Sequence, residues 1–238
     1  MIIDILFIYA MFSTWIVLII NIVLSFSGYY YFGKLKDEIE VNIDIKDNPR
    51  VSILVPAHNE AKVIRKTVES ILMLDYPRAM LEIIIINDNS SDDSADILQA
   101  IKETNSKSNL IIINTDDKNG GKGKSNALNI GYKKSTGDFI VVYDADNTPE
   151  KKSLRYLINA IVADDKLGAV IGKFRTRNKD ASILTKFINI ETLCFQWMIQ
   201  AGRWQLFRLC TIPGTNFVIR KSIIEMIGGW DEEAIAED

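Results

Sequence analysis

The chain has one histidine, two cysteines and no excess of basic charge, and each shortage removes a class of function. A lone His58 leaves no scope for a histidine-rich metal site, and a Ser-His-Asp triad would have to be built on that one residue. Cys194 and Cys210 allow at most one bridge, so no disulfide framework holds this chain and a reducing compartment is the natural setting. A net charge of -3 supplies no basic field, and nucleic acid is not expected as a partner. Internal repeats and low-complexity tracts are missing as well. Acid–base and metal chemistry therefore falls to carboxylates.

One further absence concerns residues 119–129, NGGKGKSNALN. A Walker loop, G-x-x-x-x-G-K-[ST], ending at Gly123-Lys124-Ser125 would need a glycine at position 118, and Lys118 stands there. The rest of the chain decides which phosphates, if any, these lysines meet.

What is present describes a folded chain: 238 residues, 47% apolar and 25% charged, enough for one sizeable core plus an anchor. From Ile5 to Phe26 the residues are nearly all Leu, Ile, Val, Phe and Trp, close to the ~20 that a bilayer-spanning helix needs. The start MIID lacks the basic residues of a signal peptide, while Lys34 and Lys36 follow the apolar run. Positive residues stay cytoplasmic, which predicts a cell-membrane protein with its N-terminus outside and the remainder in the cytoplasm. Tyr29, Tyr30 and Tyr31 fit an interfacial belt. The alternative is a buried core helix of a soluble domain. The division expected is an anchor over 1–33, a linker or short surface helix over 34–48 closed by Pro49, and one domain over 49–238.

That domain alternates strand and helix. Strands are expected at 51–55, 82–87, 109–114, 138–143 and 168–172, with helices over 60–74, 92–103, 124–134 and 150–163. Strands that are apolar throughout are buried on both faces, so the fold class is α/β, a mostly parallel sheet with helices on both faces. Pro56-Ala57-His58-Asn59-Glu60, the turn from Asp88 to Asp92, and Asp144-Ala145-Asp146 all follow strands. Carboxyl ends of strands are where open α/β sheets bind ligands.

In an extended stretch, residues two apart point the same way, so Asp144 and Asp146 are placed to share one divalent ion, Mg²⁺ or Mn²⁺. The plain alternative is a turn whose Asn147 or Thr148 caps a helix starting at Pro149. A carboxylate at Asp88 suits the imide N–H of a uracil, a bond cytosine does not offer; its alternative is membership of a helix-capping turn with Ser90, Ser91 and Asp92.

VSILVPAHNE, IIINDNSSD, GKSNALN, the D-A-D, PGTNFVIR and the closing GGWDEEAIAED, in this order, resemble the inverting family 2 glycosyltransferases over roughly residues 49–238. Among them the processive membrane β-polysaccharide synthases, of the poly-N-acetylglucosamine, cellulose and hyaluronan type, are most similar. The resemblance implies a glycosyltransferase-A fold, a UDP-sugar donor, a divalent metal and a glycan or lipid-linked acceptor. It assigns uracil to Asp88, the nucleotide pocket to Pro56, Ala57, Asn59 and Glu60, and phosphate to Lys124 with Lys122 as a helper. Asp144 would hold ribose or metal, Asp146 the metal, and Gly214, Thr215 and Asn216 the donor-sugar and acceptor mouth. The catalytic base would be Asp238. Ala236 stands where the family motif has threonine, and the Gln-x-x-Arg-Trp segment and later membrane helices do not follow, so a C-terminally incomplete chain is expected, with accessory membrane subunits as possible partners. The alternatives are a single transfer to a lipid carrier, or a truncated, non-catalytic chain that holds nucleotide.

Two features stay open. Trp197 and Trp204, within 183–207, suit sugar stacking, a membrane surface or core packing. Trp230 suits an acceptor position while Gly228-Gly229 suit a helix C-cap, and His58 sits either beside the nucleotide or at a surface or packing position.

Overall fold

The computed structural model describes residues 2–39, 48–176 and 178–234. They divide between two compact units, one of Met1–Asn42 with Lys173–Thr211 and one of Ile43–Gly172 with Ile212–Asp238. Residues 173–211 of the first unit interrupt the span expected as a single domain over 49–238, because the aromatic segment 183–207 groups with the N-terminal helix instead.

The second unit carries the sheet. Its strands are β1 (Val51–Ala57), β2 (Leu81–Asn87), β3 (Leu110–Asn114), β4 (Phe139–Val142), β5 (Ala169–Ile171) and β6 (Phe217–Arg220). They lie in the order β3-β2-β1-β4-β6-β5. β1 to β4 run parallel, with Val51 opposite both Leu81 and Phe139, whereas β6 is antiparallel to β4 and β5. β6 lies inside PGTNFVIR, a segment quoted above only as a motif; four residues, FVIR, are too short to announce a strand.

Burial on both faces follows from the strand period of two. Ile53 and Val55 join one apolar cluster with α2 (Ile64–Leu72), α3 (Ser94–Thr104) and α5 (Ser153–Ala163). Leu54, Ile84 and Ile86 turn to the other face, against Ala127 and Leu128 of α4 (Lys124–Lys134) and Ile224 of α8 (Lys221–Ile227). Each such side chain contributes about 1.5–3 kcal/mol when fully buried. The helix expected over 60–74 starts four residues later, at Ile64. Residues from Glu60 form a turn first, with Val63 and Ile64 both donating to the Glu60 carbonyl.

In the first unit, α1 (Ile2–Ile39) is one continuous helix, and Ile3–Lys34 is long and apolar enough to cross a membrane. None of its most apolar window is buried, which leaves the core-helix alternative without support. The linker expected over 34–48 continues α1 as far as Ile39, and residues 40–47 lie outside the described ones. α6 (Ile183–Leu193), a π-helical segment (Cys194–Gln200) and α7 (Ala201–Phe207) complete the unit. Helix backbones touch at two glycines: a Cβ on Gly28 would lie 2.5 Å from the Trp197 carbonyl, and one on Gly202 would overlap that of Leu24. Trp197 packs on Phe32, ring centroids 4.8 Å apart, and Lys173 Nζ lies 4.2 and 4.4 Å from the two rings. Trp197 therefore packs on the N-terminal helix while more than a third of its surface stays exposed. Cys194 and Cys210 are free and exposed.

At the far end of the sheet, Glu82 is buried and fully engaged. Ser52 Oγ donates to its Oε2 at 2.6 Å, the Thr136 N–H to the same oxygen at 3.0 Å, and Thr136 Oγ1 to Oε1 at 3.2 Å. Glu82→Ala orphans these donors and is expected to lower stability by about 1–3 kcal/mol, read as the urea unfolding midpoint with an unchanged slope.

Candidate functional site

Parallel register brings the turns after β1, β2 and β4 to one edge of the sheet, and a cavity of about 460 Å³ opens between them. The turn after β1 is laced to the turn after β2. Asn59, in the left-handed region at φ 55°, has its N–H donating to Ser90 Oγ (2.9 Å), and its Oδ1 accepts from the Ser91 N–H (2.8 Å). The Glu60 N–H donates to Ser94 Oγ and that of Ala61 to Asp92 Oδ2, each at 3.0 Å. Donation to Asp92 by the Ser94 hydroxyl first, then by the Ala61 N–H, holds its carboxyl below the usual carboxylate range.

The same lacing fixes His58. Its Nδ1 lies 2.6 Å from the Asp88 carbonyl, which only accepts, so Nδ1 carries the proton. Asn59 Oδ1 is committed to a backbone donor, so Nδ2 faces His58 Nε2 at 3.0 Å and donates to it. Both assignments agree on one neutral tautomer.

Asp88 sits at the cavity floor, 5% exposed. Its Oδ1 accepts from Thr115 Oγ1 (2.8 Å) and from the Gly121 N–H (2.9 Å). Both bonds fall on one oxygen, leaving Oδ2 as the acceptor available to a ligand. The glycines of NGGKGKS now have a reason. A Cβ on Gly120 would overlap Thr115 Oγ1 and lie 2.5 Å from Asp88 Oδ1, while Gly121 needs φ +69°. The loop closes over the carboxylate because it has no side chains there.

Gly123, at φ 96°, then starts α4 without a side-chain cap, and the N-terminus of a helix favours an anion. Lys124, the first residue of α4, pairs with Asp144, Nζ to Oδ1 2.8 Å. Asp144 is held by the loop after β5: its N–H donates to Thr215 Oγ1 (2.9 Å), which also accepts from Asn147 Nδ2 (2.8 Å). Asn216, at φ 54°, donates its N–H to the Val142 carbonyl at 2.7 Å.

Of the residues expected at the site, Pro56, Ala57, Glu60, Asp88, Lys124, Asp144 and Asp146 line this one cavity. Asn59 and Thr215 do not; they hold the turns that do. Gly214 and Asn216 lie with Thr215 in the supporting loop, and Lys122 is exposed away from the lining. Asp238, the expected base, lies outside the described residues. His58, left open between the nucleotide and a surface or packing position, also lines the cavity, as do Gly121, Gly123, Ala127 and Ala145, which were not named as site residues. Four of them adjoin named site residues in sequence, the only signal available; Thr115, which supports Asp88 from 27 residues away, carries none.

The acidic groups are crowded. Burial first, then the charges of Asp146, Asp92 and Asp144, push Glu60 above the usual carboxylate range. A bound cation would relieve that repulsion. Among the described residues no three His, Cys, Asp or Glu side chains group closely enough to hold a metal ion alone, so further oxygens from a ligand would be needed.

Comparison with known proteins gives consistent relatives. The Glycosyl transferase family 2 model matches residues 52–228. A probable glycosyltransferase of Bacillus subtilis, YdaM, is 50% identical over 225 residues, covering 94% of this chain and 53% of its own. The poly-beta-1,6-N-acetyl-D-glucosamine synthase of Staphylococcus aureus is 34% identical over 217 residues, 89% of this chain and 50% of its own. The chain thus spans about half the length of these curated relatives. A mannosyltransferase from Pyrobaculum calidifontis, solved with GDP-Man and Mn²⁺, superposes with TM-score 0.65 at 23% identity, over 92% of this chain and 60% of that one. At that identity it shows the shared glycosyltransferase-A fold.

The charge crowding makes a pH-dependent prediction. Because the fold raises the Glu60 pKa, its ionised form destabilises the folded state once pH exceeds that raised value, and nothing is lost below the ordinary carboxylate range, where Glu60 is protonated folded or unfolded. Glu60→Gln should therefore raise the melting temperature at pH 7 and leave it unchanged near pH 3, by differential scanning fluorimetry.

Proposed function

Since the chain belongs to Glycosyl transferase family 2, we propose that it moves a sugar from a UDP-sugar to a hydroxyl of a growing glycan, with inversion, at the cytosolic face of a membrane. The observation that carries this reading is the convergence of Asp88, Lys124, Asp144 and Asp146 on one cavity. N-acetylglucosamine is the sugar favoured by the likeness to the poly-N-acetylglucosamine synthase. α1 would anchor the chain, with Lys34 at the cytosolic end of the span.

Asp88 would choose the base. Adenine and cytosine present a ring acceptor where uracil presents its imide N–H, and a carboxylate accepts only. Guanine offers a paired N–H and amino group suited to a bidentate carboxylate, but Oδ1 of Asp88 is already taken by Thr115 and Gly121. One open oxygen matches one imide N–H.

The diphosphate would lie against the uncapped N–H groups of α4 and the Lys124 ammonium. Asp144 and Asp146 fit a divalent cation as a pair of hard oxygen ligands completed by the diphosphate, and Thr215 holds the first of them in place. When bound, Mg²⁺ or Mn²⁺ supplies neutralisation of the charge that accumulates on the departing diphosphate. The acceptor hydroxyl oxygen would form the new bond at the anomeric carbon from the face opposite the phosphate oxygen, whose bond breaks. Its proton would pass to a carboxylate, for which Asp238 is the candidate.

Two carboxylates without a third make the cation and the nucleotide depend on one another. Calorimetry should give tighter Mn²⁺ binding with UDP present than without it, and Asp146→Asn should abolish transfer from UDP-sugars in membranes carrying the complete protein. UDP should outcompete CDP and ADP by about 10- to 100-fold, the loss expected for a hydrogen bond to a charged group. Equal binding of the four nucleoside diphosphates, GDP included, would sink the role given to Asp88.

A further inference from the structure

α4 carries two asparagines one turn apart, Asn126 and Asn129, that the donor site does not use. Asn129 grips the segment after α8 at both ends of its amide. Its Oδ1 accepts from the Trp230 N–H at 2.9 Å, and its Nδ2 donates to the Trp230 carbonyl and to Glu232 Oε1, each at 2.8 Å. The backbone donor on Oδ1 fixes the amide's orientation. Asn126 Nδ2 donates to the other carboxylate oxygen, Glu232 Oε2, at 3.1 Å.

The local backbone is shaped for this contact. Gly228 and Gly229 both have positive φ, 84° and 97°, and a Cβ on Gly229 would lie 2.7 Å from Asn129 Oδ1. Trp230 stands edge-on to Tyr132 of the same helix, centroids 6.2 Å apart, so packing is what occupies this ring. Glu232 lies below the usual carboxylate range because Asn129 first, then Asn126, donate to it, with Lys133 and Lys122 adding positive charge. A carboxylate held so firmly as the anion is a poor proton acceptor and a good anchor. Asn126 Oδ1 is buried with no hydrogen-bond partner, a cost that the amide bears while its Nδ2 reaches Glu232.

We propose that Asn126 and Asn129 are positioning residues: through Glu232 and the Trp230 backbone they hold residues 230–234, the acidic segment that precedes Asp238 in sequence, in register with the phosphate end of α4. The inference rests on the transfer reading above. Lys124 and Asn129 stand five residues apart on one helix, a rise of about 7.5 Å, so the donor phosphates and the anchor of residues 230–234 would share one rigid ruler.

The test uses the complete protein in membranes, with UDP and UDP-N-acetylglucosamine as probes. In Asn129→Ala and Glu232→Ala the UDP dissociation constant and the donor KM should stay within about threefold of wild type, while kcat falls about 10²-fold, the scale of a group displaced by an ångström. Glu232 is exposed, so its truncation leaves the core intact and keeps the test meaningful if Asn129→Ala folds poorly. Unchanged kcat in Glu232→Ala, or a parallel loss of UDP binding and kcat, overturns the clamp alone. Failure of the wild-type protein to bind UDP overturns the clamp together with the function beneath it.

Discussion

Like charges gathered on one rim repel, and holding Glu60, Asp144 and Asp146 around a single cavity is the constraint from which the other features of this edge follow. Left to themselves, the turns bearing these carboxylates would relax apart. They do not, because side chains that never reach the cavity tie each turn down: Asn59 and Ser94 across the β1 and β2 turns, and Thr215 under Asp144. Lys124 offsets part of the repulsion by pairing with Asp144. A pair about one-third exposed or less on each side contributes modestly in water. Its greater consequence is that an entering diphosphate and a cation would exchange partners with it, the anion taking the lysine and the cation the aspartate.

Asp88 meets the same problem differently. It is nearly buried, and its charge is tolerated because two donors converge on one oxygen. The closing loop could not make that approach with side chains at 120 and 121, so the glycines exist for a carboxylate that precedes them by some thirty residues rather than for a phosphate. That resolves the Gly-Lys-Ser question: Gly120 and Gly121 serve Asp88, Gly123 starts α4 at the cavity, and only Lys124 among the lysines of that loop lines it.

Much of this was readable in advance, and the limits have physical causes. β1, β2 and β4 are apolar throughout, a pattern few structures other than a twice-covered strand satisfy, and their carboxyl ends followed directly. β6 was missed because a short run of four carries no period, and its antiparallel direction depends on the chain's excursion through the other unit. The segment 183–207 is apolar on several sides, so periodicity could not separate packing from surface; Gly28 and Gly202, whose close approaches set this segment against α1, are small residues with no signal of their own. Supporting residues such as Thr115 and Thr215 were hidden for a related reason. A hydroxyl that accepts or donates across the fold looks in sequence like any other threonine.

GKSNALN shows how one helix meets several demands at once. Its glycine and lysine face the cavity, Ala127 and Leu128 face the sheet, and Asn126 and Asn129 face the segment after α8. These three directions are spaced by the 3.6-residue turn, so no insertion or deletion within the motif can preserve all of them. Asparagine is poorly suited to a helix interior, and two of them in eleven residues weaken α4 on propensity alone. The compensation is tertiary. Both amides reach the Glu232 carboxylate, one of them the Trp230 backbone as well, and the hydrogen bonds that α4 sends outward are what join the helix at the cavity to residues 230–232.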